Sequence, residues 1–118
     1  MEVISQNVAN ANTTRAADGK PYAREQVVFE TVLGRQQAGA AGQGVQVARI
    51  EKDARPPRLV FNPGHPEANG DGMVAMPNIN IHEEMADLIA SSRAFEANLA
   101  VVKNARTLAL QTLSIGKR

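Results

Sequence analysis

No cysteine and no tryptophan occur among the 118 residues. Without a thiol there is no disulfide, no thiolate metal site and no cysteine nucleophile. The aromatic side chains are Tyr22, Phe29, Phe61 and Phe95 alone. So few large rings supply little material for a thick core, and no stacking platform for single-stranded nucleic acid. An excess of one charge is missing as well. The 13 basic and 12 acidic side chains leave a formal charge of +1. That balance excludes the electrostatic footprint of a nucleic-acid or anionic-membrane binder. No apolar run approaches the roughly 20 residues that cross a bilayer, so direct membrane insertion is not expected. Residues 1–7 have neither a basic nor an apolar signal segment. The expectation is a chain that stays in the cytosol or leaves by a route that cleaves no signal.

What is present amounts to one domain's length in three segments. Residues 1–14 carry Ile4, Val8 and Ala11 interleaved with Asn7, Asn10 and Asn12. Asparagine competes for backbone groups inside helices, so this segment is read as the end of a helix dissolving into an Asn-rich turn. Residues 15–80 are rich in Gly and Pro. Strands are predicted over 26–33, 45–50, 58–61 and 73–76, separated by turn clusters at 18–21, 62–66 and 69–72. The low-complexity stretch 36–44 is predicted as a loop. Together they make a small, loop-rich β-domain.

Residues 81–118 hold the strongest pattern. Neither Gly nor Pro interrupts 81–115. Asn80 is placed to cap a helix, with Glu83 completing a capping box and Gly116 following the last apolar residue. Ile81, Met85, Leu88, Phe95, Leu99, Val102, Ala109 and Leu113 recur at alternating steps of four and three, with Ser92 and Arg106 in the same phase. This is a coiled-coil seam over about three times the mean helix length. The segment 1–14 is too short to cover it. The rest of the seam therefore needs a second chain or a longer N-terminal helix. The predicted class is α+β: a long C-terminal coiled-coil-forming helix, a short N-terminal helix paired with it, and the β-domain between.

Candidate chemistry is thin. His82-Glu83-Glu84 opens like a zinc-protease motif, but the fifth position is Ala86. Asn69-Gly70-Asp71-Gly72 lacks the twelve-residue calcium frame. Ser91 and Ser92 lie mid-helix without a nucleophile elbow, and no phosphate-binding glycine loop follows a strand. No catalytic, cofactor-binding or metal residue is assigned, and no enzyme is expected.

Two terminal segments carry a family resemblance. Residues 5–13, Ser-Gln-Asn-Val-Ala-Asn-Ala-Asn-Thr, resemble the N-terminal signature of flagellar rod, hook and filament-junction proteins. Residues 85–116, above all Ser92-Arg93-Ala94-Phe95-Glu96-Ala97-Asn98, resemble the matching C-terminal helix. The segments 18–22, 60–66 and 72–78 are similar to the short proximal-rod members of that family. The resemblance implies a longer N-terminal helix than the piece present here. It implies a subunit exported unfolded by the flagellar type III apparatus and polymerised in the periplasm into a torque-transmitting shaft. Its implied partners are other proximal-rod subunits, the rod-base adaptor, the distal-rod protein and further copies of itself. The implied assembly interface comprises Ile4, Val8, Met85, Leu88, Phe95, Leu99, Val102 and Leu113 as the coiled-coil wall. Asn7, Asn10 and Asn98 would bond backbone groups of neighbouring subunits and fix register. The alternatives are another flagellar axial protein, or a non-flagellar coiled-coil adaptor.

Overall fold

The computed structural model describes residues 1–32 and 44–117. Along the chain run helix α1 (Glu2–Ala9), strands β1 (Glu25–Val32), β2 (Gly44–Lys52), β3 (Arg58–Phe61) and β4 (Met73–Met76), then helix α2 (Ile81–Gly116). The architecture is α+β: a short and a long helix with two small antiparallel sheets between them, β1–β2 and β3–β4. The molecule is elongated, 81 × 30 × 20 Å, because α2 alone has 36 residues, roughly 54 Å at 1.5 Å rise. A portion of the predicted strand 26–33 and most of the predicted loop 36–44 lie outside the described residues.

α1 ends where its asparagines begin to serve the backbone. The Asn10 amide donates back to the Gln6 carbonyl at 2.9 Å, and Thr13 Oγ1 donates to Asn10 Oδ1 at 3.2 Å. The first bond joins the Asn10 backbone amide on the Gln6 carbonyl, and the second ties the Asn10 side chain to the turn that follows. The chain then reverses at Gly19, whose φ of 75° suits a residue without Cβ.

The β1–β2 ribbon shows how its side chains are sorted. The register jumps between Val28 and Phe29, so that Phe29 pairs with Val47 while Val28 pairs with Arg49. Ala48 is the extra residue of a bulge on β2. The jump keeps Ile50, Val47 and Val45 opposite Val27, Phe29 and Thr31 on one face. Strict alternation would have sent Ile50 to the other side. The result is an amphipathic ribbon with Phe29, Val45, Val47 and Ile50 more than half exposed.

In the second sheet Val60 pairs with Val74 and Phe61 with Met73. Their loop closes on Asn69, whose Oδ1 accepts from the Asp71 and Met73 amides. Gly72 has φ 72°, and a Cβ there would lie 3.0 Å from the Phe61 ring and 3.1 Å from Pro63. Only glycine meets both demands. The buried centre is small: Ala11 after α1, Val74 on β4, and Pro77 and Ile79 leading into α2.

α2 starts as its sequence suggests, with a difference of partner. The Asn80 side chain accepts from the His82 amide at 3.1 Å rather than from Glu83. Glu83 and Glu84 occupy the first turn, where the helix dipole favours acids. Gly116 is the last helical residue, and Lys117 follows as the cap.

Candidate functional site

Asn7 is 1% exposed, and its amide joins three stretches of chain. Its Nδ2 donates to the Glu25 carbonyl at 2.8 Å and to Glu84 Oε2 at 3.0 Å. Its Oδ1 accepts from the Glu25 amide at 2.9 Å and from the Tyr22 hydroxyl at 3.1 Å. Two donors and two lone pairs are thereby all used. An Asn side chain that pairs with both backbone groups of one residue mimics a neighbouring strand. It docks the first residue of β1 onto α1.

Glu84 completes the joint from the other side. It too is 1% exposed, and its second oxygen accepts from Arg24 Nε at 2.5 Å. A buried carboxylate is costly unless paired and hydrogen-bonded, and both conditions hold. Arg24 also reaches toward Asp87 at 3.8 Å, a weaker contact on the exposed side. Burial raises the Tyr22 phenol above its ordinary value of 10, with the charges of Glu25 and Glu84 pushing the same way. Tyr22 therefore stays a neutral donor to Asn7 at neutral pH. No buried side-chain polar atom among the described residues lacks a partner.

Sequence reading places Asn7 at a contact between subunits. Within the single chain each hydrogen-bonding position of that side chain is already filled. Asn10 likewise spends its amide on Gln6 and Thr13. Sequence reasoning misses three members of the joint. It meets Glu84 only in the run His82-Glu83-Glu84 and Tyr22 only among the few aromatics and at the end of segment 18–22, and it gives Arg24 no role. One signal is available for Glu84: it lies one turn before Leu88, on the apolar side of the helix.

The remaining interface residues divide by position. Ile4, Val8 and Leu88 are half-buried where α1 packs on the start of α2. A cleft of about 350 Å³ beside them is lined by Met1, Ile4, Val27, Phe29, Ala90 and Ser91, among others. Met85 is half exposed. Beyond Ser92 every residue through Lys117 is exposed, including Asn98. Phe95, Leu99, Val102 and Leu113 show 61, 43, 64 and 65% of their surface. Burying an aromatic or aliphatic side chain is worth about 1.5–3 kcal/mol, and none of that is realised here. The structure thus brings the proximal half of the seam to α1 and leaves the distal half uncovered.

Nothing else among the described residues has the make-up of a site. Among the described residues no group of three or more His, Cys, Asp or Glu could hold a metal. A larger cleft of about 470 Å³ beside Lys20, Lys52 and Arg55 holds an exposed ion pair, in which a hydrogen bond from Arg55 holds the Asp53 carboxyl below its usual range. His65 accepts a bond from the Glu67 amide and shapes a turn.

The comparisons with known proteins now bear on this geometry. Residues 71–115 match the family described as "Flagellar basal body rod FlgEFG protein C-terminal". Over 117 residues the chain is 41% identical to the flagellar basal-body rod protein FlgC of Yersinia enterocolitica, covering 99% of this chain and 85% of that one. It is 39% identical to FlgC of Borreliella burgdorferi, covering 98% and 85%. The chain belongs to the FlgC family of flagellar basal-body rod proteins. The Bacillus subtilis FlgC is 37% identical over 99% of this chain and 87% of its own. This FlgC homologue is thus a structural subunit of the flagellar rod and not an enzyme. Membership in the FlgC family retires the non-flagellar adaptor. No helix among the described residues is long and apolar enough to cross a membrane.

Proposed function

We propose that this chain polymerises through its terminal helices into the proximal section of the rod, the periplasmic shaft that carries torque from motor to hook. The observation that carries this reading is the run from Arg93 to Lys117, a helix with apolar seams and no intrachain cover. A coiled-coil seam left bare in the single chain is an interface awaiting a partner. Met85, Leu88, Phe95, Leu99, Val102 and Leu113, with Asn98 beside them, are its residues. Ile4 and Val8 back it from α1. The joint at Asn7 holds the β1–β2 ribbon at a set angle to α2, so that load on one passes to the other.

Assembly with other rod proteins follows from family membership. The finer partners we assign are the neighbouring proximal-rod subunits, the rod-base adaptor, the distal-rod protein and further copies of this chain. Export proceeds through the flagellar type III apparatus. The +1 net charge and the absence of cysteine suit a chain that crosses unfolded and needs no oxidative step. The chain divides by task into a short helix with its turn (1–14), a β-domain (15–80) and an assembly helix (81–118).

The test is Leu99→Asp, expressed in a flagellated bacterium deprived of its own FlgC. A charge at a buried seam position costs several kcal/mol. Incorporation into isolated basal bodies is expected to fall at least about tenfold, with the ribbon and joint intact. Rods that incorporate the variant normally contradict the reading.

A further inference from the structure

α2 carries a second seam that the contacts above do not use. Ala94, Val101, Leu108 and Ile115 recur at every seventh position. At about 100° per residue, Leu108 lies about 180° around the helix from Leu99, and Val101 about 200°. The two seams therefore run on opposite faces. Val101, Leu108 and Ile115 are 66, 63 and 73% exposed. Glu96, Lys103, Thr107 and Ser114 keep the flank between them polar. The buried and half-buried residues of α2 are Glu84, Leu88, Ser91 and Ser92, all on the first face. A helix apolar on two opposite sides needs two neighbours.

Bulk and charge identify the second neighbour. The proximal half of the second face is built from small side chains, Ala90, Ala94 and Ala97, with Glu83 and Asp87 on the same side. The distal half of the first face presents Val102 and Leu113 with Lys103 and Arg106 beside them. From 81 to 96 the acids are Glu83, Glu84, Asp87 and Glu96 against Arg93. After Glu96 no acid occurs, while Lys103, Arg106, Lys117 and Arg118 follow. The helix dipole accounts for charge only within the end turns. It does not account for Lys103 and Arg106, which stand ten residues or more before Gly116. Asp87 remains 58% exposed beside Arg24, free to take a second cation.

We propose that the distal first face of α2 in one chain packs on the proximal second face of α2 in a second copy. The helices run parallel and are offset so that Lys103 and Arg106 lie beside Glu83 and Asp87. That offset is about 20 residues, or roughly 30 Å along the axis. Large side chains meet alanines and bases meet acids, whereas in-register packing would set Lys103 and Arg106 against Val101 and Leu108 with no acid in reach. The contact joins two different patches, so its repetition advances along a screw instead of closing a pair. The proposal rests on the rod-subunit reading and adds which helix faces meet.

The chain has no cysteine, which allows clean crosslinking. Ala90→Cys and Ala109→Cys chains are co-expressed in the FlgC-deprived bacterium, and isolated basal bodies are oxidised. The offset predicts a disulfide dimer containing both variants, with neither variant crosslinked when expressed alone. A second pair, Ala94→Cys with Leu113→Cys, is expected to behave the same way and guards against one pair failing to fold. Adding Lys103→Glu and Arg106→Glu lowers the yield at least about tenfold, and Glu83→Lys with Asp87→Lys in the partner restores it. Self-crosslinks of single variants, or no dimer although both chains enter the basal body, overturn the proposal and leave the rod-subunit reading standing. Exclusion of every variant from basal bodies, where the unsubstituted chain is excluded too, overturns that reading and the proposal with it.

Discussion

The two halves of α2 continue one apolar seam and live in different surroundings. Around Glu84 and Leu88 the helix is held by α1, by Arg24 and by a closed set of hydrogen bonds at Asn7. From Phe95 onward it has comparable apolar content, and its large apolar side chains are exposed. The difference teaches a division of labour. The proximal joint is finished within the chain, because each polar group there finds its partner without help. The distal half is unfinished, because its apolar surface has none. A subunit of this kind brings a preset angle to the assembly and leaves the assembly to complete the helix. Free subunits then have little formed interface to offer one another, which favours addition at a growing tip.

That contrast can be broken first at Glu84. Glu84→Ala leaves Arg24 without its main partner and Asn7 with an unused donor. Breaking a buried ion pair in this way costs about 3 kcal/mol. Chemical denaturation of the purified chain should show the loss, together with release of α1. Unchanged stability would mean that the joint is not what holds the termini. Asn7→Ala comes next, at about 2 kcal/mol, since it strands both backbone groups of Glu25 and one oxygen of Glu84. Rapid amide exchange at Glu25 is the specific signature, and continued protection there would contradict the docking role. Phe95→Ala sharpens the comparison from the opposite side. Phe95 is 61% exposed in the single chain, so its removal should change monomer stability by less than about 0.5 kcal/mol. The same substitution should still reduce incorporation into basal bodies. A large monomer effect would show that the chain covers its own distal seam.

Much of this contrast is legible in the sequence, and the reason differs by element. α2 is readable because nothing between 81 and 115 breaks a helix and its seam repeats over several heptads. The strands are readable from β-branched residues and from turn clusters such as Asn69-Gly70-Asp71-Gly72. The bare distal half is readable by length alone, since residues 1–11 cannot cover so long a helix. The joint is not. Asn7 looks like any residue of an Asn-rich turn, and its four bonds depend on segments 15 to 77 positions away. Glu84 looks like a dipole-compensating acid until Arg24 is brought beside it. The Ala48 bulge is visible only as a change of parity between Val47 and Ile50, which pairing with β1 turns into a register shift. Local rules see caps and periods, while a satisfied polar cluster between distant segments is a property of the fold.

The central claim is that one continuous helix has a finished half and an unfinished half. Amide hydrogen exchange on the purified chain tests it most directly, comparing residues 84–92 with residues 95–115 of α2. The account predicts protection at the joint and rapid exchange through the distal half, where helix formation alone is marginal in water. Uniform protection from Glu84 to Ile115 in a monomer would contradict it.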